Sequence, residues 1–259
     1  MRDLFLTTLR RAKKLARLIQ RKEYRHGLKL RVAAAIEHEG AIRPLDINSL
    51  IDVGANIGQF SLMAHALHPT LHIHAFEPLP GAAERFKKLM QDRPNTTLHL
   101  NAAGEVAGNA NIYVSKRVDS SSLLPITELQ DRIFPGTAQS SVEKVRVVRI
   151  DDALEVSDLP KPIMIKLDVQ GFELSALKGM PKLLRHAQYV YTEVSFKELY
   201  RGQPLAHEIL VWLSEIGYQI SGVYNTTEAS DGTSIQADIL FTKASDGQLQ
   251  VFRLAVVKH

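Results

Sequence analysis

The sequence predicts an α/β protein in which a parallel β-sheet carries helices on both faces. Three observations support this. Short apolar runs alternate with helix-patterned segments from Ser49 onward. A turn bracketed by Gly54 and Gly58 joins the first run to the first helix. The composition, 45% hydrophobic and 23% charged over 259 residues, is that of a soluble chain able to bury one α/β core.

The elements follow in order. Ser49 to Val53 reads as a strand, Gly58 to Ala66 as a helix, Leu71 to Phe76 as a second strand and Gly81 to Met90 as a second helix. Thr97 to Asn101 completes a βαβαβ unit, which requires parallel pairing and crossover helices. Ile112 to Val114 and Val145 to Ile150 then flank a polar stretch, Ser115 to Ser141, holding Asp119, Ser120, Ser121, Ser122 and Pro135-Gly136. A loop of that length inside a compact domain is expected to be a functional lid or disordered. Alternation resumes with strand Ile163 to Leu167, helix Glu173 to Leu177, strand Tyr189 to Val194, helix Ala206 to Glu215, and strands Tyr218 to Val223 and Ala237 to Phe241. This divides the chain into an N-terminal helical extension, 1–45, and a main domain, 46–259.

Residues 1–31 hold 11 Lys and Arg against Asp3 and Glu23, whereas the remainder carries 21 basic and 26 acidic residues. The net charge of +4 therefore belongs to the extension. There, Phe5, Leu9, Ala12, Ala16 and Ile19 recur at helical spacing while Arg10, Lys14, Arg17 and Arg21 share another face. The favoured reading packs this apolar stripe on the main domain. The alternative is peripheral attachment of the basic helix to an anionic membrane surface at the inner face, or to an acidic partner. Nucleic acid is not expected, because the body is acidic and the extension has few aromatics. With no cysteine, a disulfide framework, a thiolate metal site and a cysteine nucleophile are excluded. Apolar stretches such as Ile209 to Leu213 are too short to span a membrane, and the basic N-terminus is a poor signal peptide, so a cytoplasmic location is expected.

In Leu50-Ile51-Asp52-Val53-Gly54-Ala55-Asn56-Ile57-Gly58, an apolar strand ends in an acid and a tight turn opens a helix. Gly54 permits close backbone approach and the helix N-terminus offers unpaired N–H donors, which together make a nucleoside crevice. Glu77 ends the second strand, where a carboxylate accepts hydrogen bonds from ribose hydroxyls. No Gly-Lys-Ser/Thr follows, so a P-loop is excluded.

Asp52-Val53-Gly54-Ala55-Asn56-Ile57-Gly58, Phe76-Glu77-Pro78, Val148-Arg149-Ile150-Asp151-Asp152-Ala153-Leu154, Lys166-Leu167-Asp168-Val169-Gln170-Gly171-Phe172-Glu173 and Asp238-Ile239-Leu240-Phe241 occur in this order. Across about residues 48–243 the chain resembles the FkbM family of S-adenosylmethionine-dependent methyltransferases. The resemblance implies a class I, Rossmann-like, mostly parallel seven-stranded sheet. It also implies O-methylation of a sugar, polysaccharide or natural-product hydroxyl. One departure is visible: the family commonly has Asp-Val-Glu-Gly where this chain has Asp168-Val169-Gln170-Gly171.

With S-adenosylmethionine as donor, Asp52, Gly54, Ala55, Asn56, Gly58, Glu77 and Pro78 are the expected cofactor residues, and Asn101 is the candidate for the adenine side. Because ligands sit beyond the carboxyl ends of the strands, Asp168 and Glu193 are the leading catalytic carboxylates, with Gln170 positioning a hydroxyl. Either carboxylate would take the acceptor proton. A divalent cation between them is the less favoured reading, since two carboxylates without a third ligand underdetermine an oxygen site. Ser120, Ser121 and Ser122 are candidates to close over the cofactor. Lys166 is read as structural, on the strand face opposite Asp168, and His72 and His74 as strand histidines rather than a metal pair. The same strand–turn–helix–acid logic serves nicotinamide-dependent oxidoreductases, but Gly-Ala-Asn-Ile-Gly lacks their second glycine. A non-catalytic scaffold that binds S-adenosylmethionine is the remaining alternative.

Overall fold

The computed structural model describes residues 12–229 and 231–244. Its helices are α1 (residues 12–18), α2 (Lys22–Lys29), α3 (Glu39–Ile42), α4 (Gln59–Leu67), α5 (Pro80–Met90), α6 (Glu128–Ile133), α7 (Ile150–Ala153), α8 (Glu173–Lys178), α9 (Pro181–His186) and α10 (Ala206–Glu215). The strands are β1 (Ser49–Val53), β2 (His72–Phe76), β3 (Thr96–His99), β4 (Ala102–Ala103), β5 (Gly108–Ser115), β6 (Gln139–Val148), β7 (Ile163–Leu167), β8 (Tyr189–Ser195), β9 (Tyr218–Glu228) and β10 (Ser234–Lys243). Seven of them form one sheet in the order β3-β2-β1-β7-β8-β10-β9, parallel except for β10, which pairs antiparallel with both neighbours. This is the mostly parallel seven-stranded sheet that the resemblance implies.

Each sheet face has its own core. Leu50, Met164, Tyr191 and Leu240 face α2, α4 and α5, whereas Ile51, Ile165, Val190 and Phe241 face α8, α9 and α10. β1 and β7 are buried along their whole length, which is why they read as mainly apolar strands, with Asp52 and Lys166 the charged exceptions. Local signals set the helix starts. Pro80 and Pro181 occupy first-turn positions, and Asp151 accepts from the free N–H groups of Lys182 (2.7 Å) and Leu183 (3.0 Å) at the head of α9. Glu208 reaches back to the Leu205 N–H (2.8 Å) at the head of α10.

Three expectations change. The strand after α5 stops at His99, and the chain turns over Leu100 and Asn101 into β4, which belongs to a second sheet ordered β4-β6-β5. The polar stretch 115–141 is ordered. It holds a 3₁₀ turn at Val118–Ser120 and α6, whose Thr127 caps the Gln130 N–H. The extension does not pack by its apolar stripe. Ala12, Ala16 and Ile19 are exposed, and Phe5 and Leu9 lie outside the described residues. Leu18 is buried instead, and the basic face meets the body: Lys14 pairs with Glu37 (2.8 Å), Arg17 with Glu39 (3.1 Å), and Arg21 donates to the Ala66 carbonyl (2.8 Å). Tyr24 Oη donates to Glu39 (2.7 Å) within the core shared with α4. Among the described residues no helix is long and apolar enough to cross a membrane.

Candidate active site

A cavity of about 220 Å³ opens at the carboxyl ends of β1, β2 and β7. Its floor is the turn after β1. Gly54 (φ +75°), Asn56 (φ +48°) and Gly58 (φ +89°) all adopt left-handed backbone. Gly54 is indispensable, because a Cβ there would lie 1.9 Å from the Asp168 carbonyl oxygen. Absence of a side chain thus lets the β1 and β7 turns touch, and Gly54, Ala55 and Asn56 line the cavity. Gly58 does not line it. Its space is claimed by Phe86 and Leu89, 3.0 and 2.9 Å from where a Cβ would sit, so it packs the head of α4 on α5.

Glu77 and Pro78 line the opposite side. The Glu77 carboxylate accepts from the N–H groups of Asn56 (2.9 Å) and Leu79 (2.8 Å). Burial nonetheless dominates and pushes its pKa up to about 7. Asn101 is not on the wall. Because the chain leaves β3 early, Ala102 and Ala103 occupy that place.

Asp52 is also displaced from its expected role. It is fully buried behind the turn, where it accepts from Ser61 Oγ (2.6 Å) and pairs with Lys166 Nζ (3.1 Å). Lys166 corrects a second expectation: residues two apart in a strand share a face, so it lies on the same face as Asp168 and lines the cavity. Its ammonium donates to the Gly54 carbonyl (3.0 Å) and sits 5.6 Å from the Phe60 ring centre. Burial disfavours that charge, but Asp52, with Asp168 and Asp238 behind it, more than offsets the penalty and holds the pKa above the usual lysine value.

The β7 turn carries Asp168, Val169 and Gln170 into the cavity. Gln170 has φ +55° and is held at three points: its Nε2 donates to Asp168 Oδ1 (2.6 Å), its Oε1 lies 2.6 Å from Tyr200 Oη, and its carbonyl accepts from Ser122 Oγ (2.6 Å). Glu173 Oε1 accepts from the Val169 (3.0 Å) and Gly171 (3.1 Å) N–H groups, and burial pushes its pKa up to about 7. Glu193 does not line the cavity. It lies behind Gln170, 3.5 Å from Nε2, and accepts from Gln236. Burial, followed by the charges of Asp168 and Asp238, raises its pKa well above the carboxylate range. Of the expected catalytic residues, Asp168 and Gln170 thus reach the cavity and Glu193 supports them from behind. A glutamate at 170 would set a third carboxylate against these two, whereas the amide links them without charge.

Ser121, Ser122, Leu123 and Asp119 close one side. Tyr200 ties the flap down, its Oη 3.1 Å from the Ser120 carbonyl. The remaining wall comes from before β1: Ala35, Glu37 and His38. His74 and His99 stack on each other beside Phe76, and burial lowers the pKa of His74 to about 4. Among the described residues no group of three or more His, Asp or Glu side chains is placed to hold a metal ion.

The chain is similar in sequence to known methyltransferases. The chain is 28% identical over 165 residues to the 2-O-methyltransferase NoeI of Sinorhizobium fredii, covering 60% of this chain and 66% of that one. It is 28% identical over 149 residues to the hexuronic acid methyltransferase AglP of Haloferax volcanii, covering 56% and 55%. To the 31-O-demethyl-FK506 methyltransferase FkbM of Streptomyces tacrolimicus it is 51% identical over 168 residues, covering 56% and 63%. The chain thus spans between about half and two thirds of the length of these relatives. The family model described as the methyltransferase FkbM domain matches residues 52–220, a segment that runs from the buried Asp52 through the Gly54 turn and the Asp168 loop. On that match, the chain belongs to the FkbM methyltransferase family.

Proposed function

We propose that the chain is an S-adenosylmethionine-dependent O-methyltransferase acting on a hydroxylated acceptor, a sugar, polysaccharide or related natural product. The observation that carries this reading is the contact of Gly54 with Asp168, which sets a nucleoside-binding turn and a carboxylate loop on one cavity. The residues suit the donor: Glu77 offers a carboxylate to ribose hydroxyls, and Asp168 brings a second carboxylate to the same cavity. When bound, S-adenosylmethionine supplies a methyl group on that sulfonium. Gly54, Ala55, Asn56, Glu77 and Pro78 hold it. Asp168, fixed by Gln170 with Glu193 behind, accepts a hydrogen bond from a hydroxyl of the acceptor and so aims the reacting oxygen along the line of transfer. Relatives named for a hexuronic acid and for 2-O-methyl transfer support oxygen as the acceptor atom.

Calorimetric titration with S-adenosylhomocysteine tests the donor site. Because the Glu77 pKa is near 7, ionisation is mostly lost between pH 8 and pH 6, and Kd is expected to rise about tenfold over that interval. Glu77→Gln is expected to bind more weakly with a flat pH dependence. Binding of NADH in place of S-adenosylhomocysteine would overturn the reading in favour of an oxidoreductase. The acceptor side is tested by radiolabelled methyl transfer to a panel of neutral and acidic pyranosides. Asp168→Asn is expected to lower kcat by roughly 10² to 10³ while S-adenosylhomocysteine affinity stays within about threefold. Unchanged turnover would remove Asp168 from the chemistry.

A further inference from the structure

The assignments above leave one polar cluster on the cavity wall unused. His38, from the segment before β1, lines the cavity, and its ring packs edge-on against Phe60 and Tyr191. Its Nδ1 lies 3.2 Å from Asp238 Oδ2 on β10, 2.9 Å from Tyr191 Oη on β8 and 3.1 Å from Asn225 Nδ2 on β9. Tyr191 Oη (3.2 Å) and Asn225 Nδ2 (2.8 Å) both donate to Asp238 Oδ2. Three strands therefore converge on one nitrogen of one histidine.

The base role requires the tautomer in which Nδ1 carries the proton and donates it to Asp238 Oδ2 (3.2 Å), whereas in the other tautomer Nδ1 would accept from Asn225 Nδ2 (3.1 Å). With Nδ1 protonated, Nε2 keeps its lone pair, and among the described residues it has no hydrogen-bond partner. The charged and titratable groups around the ring are Asp238, Tyr191, Tyr224, Lys166, Asp168 and Glu37. Bonds from His38, Asn225 and Tyr191 keep Asp238 below the ordinary aspartate range despite its burial, so it is an anion ready to face an imidazolium.

Resting on the proposed methyl transfer, we infer that His38 is the general base and Asp238 its positioning residue. A lone pair on the acceptor oxygen forms the new C–O bond while the C–S bond breaks and its electrons stay on sulfur. The hydroxyl proton passes to His38 Nε2. The products are a methyl ether, a neutral thioether and an imidazolium paired with Asp238. Asp168 then orients the acceptor through a neighbouring hydroxyl rather than taking the reacting proton.

Nitrogen-15 NMR of the histidine-labelled full chain with S-adenosylhomocysteine tests the tautomer without requiring turnover. A neutral His38 protonated on Nδ1, shifting toward the other tautomer in Asp238→Asn, supports the inference; a neutral His38 protonated on Nε2 overturns it. Kinetics use whichever pyranoside accepts methyl in the panel above. His38→Gln is expected to lower kcat at least 100-fold and to change the pH profile of kcat. Donor is kept saturating so that Glu77 does not contribute, and S-adenosylhomocysteine affinity is expected to stay within threefold. Asp238→Asn is expected to lower kcat by about tenfold or more at unchanged KM. A His38→Gln enzyme within threefold of the parent, with the same pH profile, overturns the assignment. If S-adenosylhomocysteine binds but no hydroxylated compound is methylated, the O-methyltransferase reading fails, and the NMR result still decides the dyad.

Discussion

Gly54→Ala is expected to destabilise the fold by about 3 kcal/mol or more and to abolish S-adenosylhomocysteine binding. The added Cβ would sit 1.9 Å from the Asp168 carbonyl oxygen and would have to hold φ near +75°. Neither atom can yield cheaply, because the opposing atom is backbone inside a parallel sheet whose two central strands are fully buried. Relief requires β1 and β7 to separate at their carboxyl ends, which pulls the nucleoside turn away from Asp168. At 2–4 °C per kcal/mol, a loss of that size lowers Tm by roughly 6–12 °C. Differential scanning calorimetry reads the first effect and titration the second. A variant that melts within 2 °C of the parent would show that the two turns do not touch.

Lys166→Met is expected to cost a similar amount, about 3–5 kcal/mol, by leaving Asp52 as an unpaired buried charge. The loss is larger than the pair itself contributes, since the ammonium also binds the Gly54 carbonyl and packs against Phe60. Combining it with Asp52→Asn removes the stranded charge, so the double variant is expected to recover at least half of the lost stability. Thermal melts of the three variants check this. The pair's raised lysine pKa leaves its contribution intact through neutral pH and removes it only as pH rises past the lysine range. Additive losses in the double variant would show that the two side chains do not interact.

How much of this was legible in the sequence depended on where each signal lies along the chain. The buried strands β1 and β7 announce themselves as mainly apolar runs, and glycines at a strand end mark the turn, because both signals are local. The β5–β6 hairpin extends well beyond its apolar residues because its outer positions are polar and exposed. Asn101 was misplaced by a strand end two residues too long. Lys166 was detectable: a lone charge inside Ile163-Met164-Ile165-Lys166-Leu167 must be paired when its strand is buried, and alternation sets it beside Asp168. His38 carried no such signal. Its partners stand 153 and 200 positions away, and only the sheet order brings them together.

That order has a consequence for the timing of activity. β10 lies inside the sheet, between β8 and β9, and it carries Asp238. The cavity wall bearing His38 is synthesised early, whereas its anionic partner arrives with the last described strand, after a long-range pairing step that is slow by nature. Until the β9–β10 hairpin docks on β8, His38 lacks Asp238 and Asn225, two of the three groups that meet its Nδ1. On the proposed role of His38, assembly of its dyad and insertion of β10 into the sheet are therefore one event, and a chain whose β10 is displaced is expected to lose methyl transfer together with its core.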